Sequence, residues 1–362
     1  MTDWGSNRKD RYEFVFCDPF TLKETGPVDV EPSSSAVAWD YYSDNVYSGS
    51  VTLIGQDSRG VGKDRLIRVK QVTEVAGEEP VASTLATMFV ASCSGRMQFG
   101  MKQYKAKCHS TLYRFTQDSL INDYNLKKGA NVVNALKYLV TVDGGKLRIL
   151  DGVPTSSVLA EDYLAELGRN RREVMAELAG KIDCMFGCDP EGYVTLEPIV
   201  DPAKKPVKYH FEAGANCTYV PGVDEEDNRA DIVNRVVVYY TREKASDGYP
   251  LTDRVCVELG EESSFCFKRC GRYQTEVIKL TEPCSKADLK NKAQTYLREN
   301  SGEKRYYTIE HVSIPGLTVG DVVQYDNSTD FDEPVSVRAM IVGMDMRSLE
   351  EGALCTSKIA II

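Results

Sequence analysis

Histidine is scarce in this chain. Only His109, His210 and His311 occur in 362 residues. A zinc centre draws on clustered histidines or on two tight cysteine pairs, and these three stand far from the cysteine pairs in sequence. Long apolar runs are missing as well. None approaches the roughly 18 residues of a membrane-spanning helix. The opening stretch Met1-Thr-Asp-Trp-Gly-Ser-Asn-Arg-Lys9 has no apolar core and no small-residue cleavage site, so a signal peptide is not expected. Positive charge is in deficit, 44 Lys and Arg against 54 Asp and Glu, for a net charge of −10. That balance works against wrapping nucleic acid by counterion release and keeps the surface soluble.

Cysteine is abundant by contrast, with 11 residues, an odd number. Without a signal peptide, free thiols in a reducing setting are the expectation. The pairs Cys184/Cys188 and Cys266/Cys270 have three residues between them, not the two of a zinc knuckle.

Candidate chemical motifs each read better as ordinary structure. Gly60-Val-Gly-Lys63 is followed by Asp64 rather than Ser or Thr, which suits a hairpin turn and not a phosphate loop. Ser92-Cys93-Ser94-Gly95 lacks the leading glycine of a nucleophile elbow. Cys108 and His109 are adjacent, and neighbours in a strand point to opposite faces. Nothing in the spacing of the acidic residues selects two of them for glycoside hydrolysis. Asp224-Glu-Glu-Asp lacks the spacing of a calcium loop and reads as a solvated charged loop. No catalytic, cofactor-binding or metal-binding residue is selected, and no cofactor is expected.

Period-two alternation is what the sequence does contain. The tail runs Thr318-Val-Gly-Asp-Val-Val-Gln-Tyr325, then an alternating stretch from Val335 to Met346, a turn, and Cys355 to Ile362. This predicts a Gly-Asp turn feeding a strand and a closing hairpin. The first 118 residues read as strands over Tyr12–Cys17, Ser35–Tyr42, Gly49–Ile54, Leu66–Val72, Ala86–Ser92 and His109–Phe115. The texture then changes. Val132, Val133, Leu136, Leu139 and Val140 form a helical face within 129–140. Asn170 and Glu173 open a second helix with Val174, Leu178 and Ile182 as its stripe. A hairpin follows around Asp189-Pro-Glu-Gly192. Strands resume at Val207–Phe211 and at Asn234–Tyr240, the latter expected to be central. Ser285 and Asp288 cap a third helix with Leu289, Ala293, Tyr296 and Leu297 on its apolar face. No internal repeat is evident.

Trp39, Tyr41 and Tyr42 form an aromatic cluster. On a strand, Trp39 and Tyr41 would share one face and Tyr42 the other. One reading puts a face in the core and one at the rim. The other makes the three a subunit interface, where such residues are enriched.

The order of elements carries a resemblance. Four segments bear it: Phe14-Val-Phe-Cys-Asp-Pro19 leading to Ser33-Ser-Ser-Ala-Val-Ala-Trp-Asp-Tyr-Tyr-Ser-Asp44 and Ser48-Gly-Ser-Val-Thr-Leu53; Gly168-Arg-Asn-Arg-Arg-Glu-Val-Met-Ala-Glu-Leu-Ala179 leading to Phe186-Gly-Cys-Asp-Pro-Glu-Gly-Tyr-Val-Thr-Leu-Glu-Pro198; Ile232-Val-Asn-Arg-Val-Val-Val238; and Gly316-Leu-Thr-Val-Gly-Asp-Val-Val323 with its hairpin. Together they resemble the tail hub, or baseplate hub, proteins of tailed bacteriophages and related contractile injection machines.

That resemblance implies a mainly β fold with an α+β insertion: two related β-barrel domains plus a small α/β domain. The expected limits are 1–118 with 197–230 for a discontinuous first barrel and 119–196 for the insertion. The second barrel is expected at 231–362, with a helical insertion near 285–300. It also implies a non-enzymatic homotrimer in the virion, assembled in the host cytoplasm, that joins tail tube to tail tip. The implied partners are a distal tail protein, a tape-measure protein and tip or fibre proteins. DNA would pass through the lumen without sequence-specific binding, and no membrane insertion is implied. The alternatives are a tail-tip glycan hydrolase and a carbohydrate-binding attachment module.

Overall fold

The computed structural model describes residues 8–55, 65–98, 101–214, 217–228, 232–244, 250–280, 285–301, 304–327 and 335–362. The protein is mainly β, with few helices. Along the chain come β1 (Arg8–Cys17), β2 (Glu24–Pro27), β3 (Val30–Asp40), β4 (Tyr47–Ile54), β5 (Leu66–Val75), β6 (Val81–Gln98) and β7 (Met101–Ser110). A mixed region follows: α1 (Tyr113–Thr116), β8 (Tyr124–Leu126), α2 (Val132–Thr141), β9 (Leu147–Ile149), β10 (Tyr163–Ala165), α3 (Arg171–Gly180), β11 (Cys184–Cys188) and β12 (Val194–Pro198). Then come β13 (Val207–Glu212), β14 (Asp224–Asn228), β15 (Arg235–Lys244), β16 (Pro250–Glu258), α4 (Phe267–Cys270), β17 (Thr275–Leu280), α5 (Lys286–Asn300) and β18 (Lys304–Val312). The chain closes with β19 (Val322–Asn327), β20 (Val335–Met346) and β21 (Leu354–Ile361). The Gly60-Val-Gly-Lys63 stretch lies outside the described residues.

Two compact units divide the chain. One holds Met1–Val223 with Thr308–Ala360, the other Asp224–Tyr307. These are not the limits expected from the sequence. The closing hairpin belongs with the first unit because β20 pairs antiparallel with β3, Met344 opposite Trp39 and Met346 opposite Val37. Alternation marks a strand and the phase of its faces. It carries no information about which strand lies alongside.

In the first unit one sheet runs β21-β20-β3-β4-β7-β6-β5-β1-β2, and β19 lies between β20 and the parallel strand β13. Strand β5 is buried along almost its whole length, Leu66, Ile67, Arg68, Val69, Gln71, Val72 and Thr73 included. Burial on both faces removes the alternation that a one-sided strand shows. Its polar residues therefore need partners inside. Asp10 supplies one set: it accepts from Gln71 Nε2 at 3.0 Å, Thr73 Oγ1 at 2.6 Å and Arg8 Nε at 2.7 Å.

The 119–196 region builds as its patterns suggested. Asn131 caps α2 by accepting the Asn134 N–H at 2.8 Å, and the predicted stripe Val132, Val133, Leu136, Leu139 and Val140 is buried. Asn170 caps α3 by accepting from the Arg172 and Glu173 N–H groups. Strands β11 and β12 pair as the predicted hairpin, Gly187 opposite Thr195, and β9 adds parallel to β12.

Two sequence expectations fail. His109–Phe115 is a strand only as far as Ser110, where β7 ends, and Tyr113–Thr116 is helical. Leu112 and Phe115, three apart, are both buried, and that spacing belongs to a helical turn. The charged run from Asp224 is not a loop, because Asp224–Asn228 forms β14. It lies at the end of its strand order, and a sheet edge tolerates continuous charge.

The second unit is a three-stranded sheet under one helix. Strand β15 is central, antiparallel to β16 and parallel to β17. One face, Val236, Val238 and Tyr240, packs on Leu289, Ala293 and Leu297 of α5. The helix opens with a full capping box between Ser285 and Asp288. No helix among the described residues is long and apolar enough to cross a membrane.

Leu178 is fully buried on α3. Leu178→Ala should destabilise the first unit by about 2–5 kcal/mol, the range for deleting a buried leucine side chain. Chemical denaturation of the full chain reads this, and a change near zero would place the residue on the wrong face of α3.

Candidate functional site

The first unit contains a feature that the sequence did not announce. The tip of the β11–β12 hairpin presents four consecutive carbonyls to four side chains from the sheet. The Asp189 oxygen lies 3.1 Å from Tyr47 Oη, and the Pro190 oxygen accepts from Thr87 Oγ1 at 2.7 Å. The Glu191 oxygen accepts from Arg68 Nη2 at 3.0 Å and the Gly192 oxygen from Thr111 Oγ1 at 2.9 Å. The donors come from β4, β6, β5 and the residue just past β7. All four are buried.

The donors are themselves oriented. Arg68 Nε donates to Thr87 Oγ1 at 3.0 Å, which leaves the threonine proton for Pro190. Arg68 Nη2 also reaches the Leu22 oxygen, and Glu24 stands 3.3 Å from Nη1 as counter-charge. The single Tyr47 proton is shared between the Asp189 and Thr87 oxygens, each at 3.1 Å. Cys188 Sγ lies 3.1 Å from Thr111 Oγ1 and 3.2 Å from Tyr47 Oη. Since Thr111 donates to Gly192, the thiol donates into this pair. Burial pushes the Cys188 thiol and the Tyr47 hydroxyl up in pKa, which keeps both protonated.

Gly192 completes the fit. Its φ is +91°, and a Cβ there would stand 3.1 Å from Thr87 Cγ2 and 3.2 Å from Thr111 Cγ2. Glycine is required by conformation and by space.

A pocket of about 210 Å³ adjoins this clasp, lined by Tyr41, Met185, Asp189, Glu197, Lys205 and Asp321 among others. Met185 and Gly187 share one hairpin face with Thr195 and Glu197 by register. Gly187 makes room there: a Cβ would come within 2.5 Å of Glu197 Oε1. Two of the carboxylates have structural duties. Asp189 accepts the Tyr193 N–H at 2.8 Å and pairs with Arg148 at 2.5 Å. Asp321 accepts the Thr318 N–H at 2.8 Å, which closes the Gly-Asp turn, and binds Lys208 Nζ at 2.7 Å. Glu197 takes a 3.3 Å bond from Thr195 Oγ1, and its pKa is raised by burial against the field of Lys205. Burial also lifts Asp189 to about 6.

The predicted aromatic cluster is not one surface. Trp39 lies in the core. Tyr41 and Tyr42 stand past the end of β3, in a turn where Asp40 accepts the Tyr42 N–H at 2.9 Å. Strand alternation therefore does not govern them. Tyr41 is half-buried, its hydroxyl donates to Met185 Sδ at 3.4 Å, and its ring lies under Gly320. Tyr42 is 71% exposed, edge-on to Tyr41 at 5.3 Å. Only Tyr42 offers most of its surface to a partner.

The second unit has its own cavity, about 610 Å³, lined by Asn234, Ser264, Arg269, Cys270, Arg272 and Gln274 among others. Buried Asn234 holds its rim, donating to the Phe265 and Arg272 oxygens and accepting the Gln274 N–H. The described cysteines form no disulfide. Cys266 and Cys270 stand at either end of α4, and Cys184 and Cys188 at either end of β11.

Sequence reasoning missed Tyr47, Arg68, Thr87 and Thr111 because isolated polar residues in strands look solvent-facing. Arg68, set inside Leu66-Ile-Arg-Val69, was the available signal of a buried cation.

The fold has known counterparts. A tail protein from Neisseria meningitidis MC58 matches with a TM-score of 0.65 at 11% identity, over 97% of this chain and 96% of that one. The 43 kDa tail protein of prophage MuSo2 from Shewanella oneidensis matches with a TM-score of 0.64 at 11% identity, over 97% and 98%. A prophage tail protein from Listeria monocytogenes EGD-e matches with a TM-score of 0.54 at 11% identity, over 96% and 94%. The chain thus has the fold of phage tail proteins from end to end, as its resemblance implied. No protein-family model matches it. No curated protein matches it by sequence.

Gly192→Ala should lower the melting temperature of the full chain, by the equivalent of at least about 1 kcal/mol. Gly77→Ala is the control, since Gly77 also has positive φ but nothing within 4 Å of a Cβ. Equal effects would mean that the contact with Thr87 and Thr111 contributes nothing.

Acid should pull stability in two directions. His311 is buried, 2.8 Å from Ser357 Oγ through Nε2, and desolvation lowers its pKa from 6.5 to about 4. Its contribution is present above pH 6.5 and is lost toward pH 4, about 3 kcal/mol in all. Asp189 is raised to about 6, so it costs stability at neutral pH and returns it as pH falls below 6. Asp189→Asn should therefore make stability fall more steeply between pH 6 and 4. Denaturation midpoints across that range measure the slope, and a slope equal to the parent protein's would show that Asp189 titrates normally.

Proposed function

We propose that this protein is a tail hub: a non-enzymatic homotrimer that joins tail tube to tail tip and frames the passage for tape-measure protein and DNA. The observation that carries the reading is the match to a phage tail protein over 97% of this chain and 96% of the other. A match of that extent spans both chains almost completely.

The chemistry of the first unit supports a structural role. A hydrolytic pair needs two carboxylates free to exchange protons with substrate, within roughly 5–10 Å of each other. In the pocket beside the hairpin, Asp189 and Asp321 are instead held by backbone N–H groups and by Arg148 and Lys208. A carbohydrate-binding module would present an exposed aromatic platform, whereas Trp39 is in the core and Tyr41 is half covered. Tyr42 is the residue of the three that suits a subunit contact.

On this reading the hub meets a distal tail protein on one side and tip or fibre proteins on the other. Its inner wall is neutral to acidic, because a basic bore would hold DNA by counterion release. Three subunits should bury more than roughly 2,000 Å² with their neighbours, as obligate assemblies do. Multi-angle light scattering should return the mass of a trimer. A monomer at every concentration, with tail partners also present, would overturn the proposal.

A further inference from the structure

We infer that residues 116–182 are two copies of one strand–turn–helix unit, offset by 39 residues, which exchange their leading segments so that each caps the other's helix. The overall pattern of the sequence announces no repeat. Aligned at this offset it shows a sparse one: Thr116, Leu120, Asp123, Tyr124, Gly129, Asn131 and Leu139 recur as Thr155, Leu159, Asp162, Tyr163, Gly168, Asn170 and Leu178. The structure gives each recurrence but the tyrosines the same job: the Tyr124 hydroxyl donates to the Ala135 oxygen, and the Tyr163 hydroxyl to Glu177 Oε2.

The hydrogen bonds come in pairs, and both members of every pair cross from one copy to the other. Asn131 Nδ2 donates to the Thr155 oxygen at 2.9 Å, and Asn170 Nδ2 to the Thr116 oxygen at 2.8 Å. The Val132 N–H donates to the Ser157 oxygen at 3.1 Å, and the Arg171 N–H to the Asp118 oxygen at 3.0 Å. Gly129 N–H reaches the Leu159 oxygen at 2.9 Å, and Gly168 N–H the Leu120 oxygen at 2.8 Å. Leu159 N–H returns to Ala130, and Leu120 N–H to Arg169, each at 2.9 Å. Asp162 Oδ1 accepts the Lys128 N–H and Asp123 Oδ1 the Leu167 N–H, each at 2.8 Å.

The backbone agrees. Gly129 and Gly168 have φ of +84° and +87°. Strands β8 and β10 pair antiparallel with Asn125 opposite Leu164, a pair that itself differs by the offset. A pseudo-two-fold axis therefore passes through that pair. Leu120 and Leu159 are buried, as are Leu136 with Met175 and Leu139 with Leu178. The outsides have diverged: exposed Ser119, Asn125 and Lys128 correspond to exposed Val158, Leu164 and Leu167. Identity is kept at the seven positions above, while these exposed pairs have diverged.

The exchange has a physical consequence. A helix start leaves backbone N–H groups without intrahelical partners. Here the first N–H of α2 and of α3 is satisfied by the opposite copy's leading segment. Neither helix can keep its start while the other copy is open, so the pair opens as one unit rather than as two modules.

Hydrogen–deuterium exchange on the full chain tests this. Asn131→Asp retains the cap acceptor for the Asn134 N–H and removes the Nδ2 donor to Thr155. It should speed exchange in α3 as well as α2, by roughly fivefold in each, the effect of one lost hydrogen bond. Asn170→Asp should do the same from the other side. Faster exchange confined to the helix whose own asparagine was changed would overturn the inference. The parent protein gives an independent reading that needs no variant. With rising denaturant below the unfolding midpoint, α2 and α3 amides should converge on one opening isotherm, and two separate isotherms would refute the mutual closure.

Discussion

A turn laid against a sheet turns its carbonyl groups away from water, and each that is covered must find a donor or cost the fold. The hairpin tip at 189–192 meets that demand with four donors from four places in the sheet, Tyr47, Arg68, Thr87 and Thr111. Everything around it follows from this. Arg68 is buried because it serves Glu191, and Glu24 is recruited because Arg68 is buried. Thr87 faces inward because it passes the arginine's hydrogen bond on to Pro190. Gly192 has no side chain because Thr87 and Thr111 occupy the space. Removing one partner strands others, so the network acts as a whole.

The clasp also explains how a small mixed α/β region can belong to a large β unit. The helices α2 and α3 are tied to each other by the exchanged segments. Helix α3 leads directly into β11, and the hairpin tip is bound to the sheet. Local order in the region is thus passed on by covalent continuity and by buried hydrogen bonds.

Charge buried in the first unit is handled by the same economy of partners. Asp10 serves Arg8, Gln71 and Thr73 at once. His311 stays neutral between the Val312 oxygen and Ser357. Desolvation moves His311 and Asp189 in opposite directions of pH response, so acidification does not act on the fold with a single sign.

By itself the sequence determined the local elements. Period two located β1, β3, β4, β20 and β21; the 3.6 period, with Asn170 and Ser285 as caps, located α2, α3 and α5; Asp189-Pro-Glu-Gly192 located the hairpin turn. These signals are legible because they depend on residues close in sequence. The order of elements carried the resemblance to tail hub proteins. The tertiary structure alone decided the rest. It put β20 beside β3, divided the chain into its two units, and placed Trp39 inside with Tyr42 outside. It brought Arg68, Thr87 and Thr111 to the hairpin tip, and it exposed the duplication that seven scattered identities had concealed. Pairing partners and buried donors are chosen by what lies across the interior, and a hydrophobic pattern records only that a residue is buried, not what it meets there.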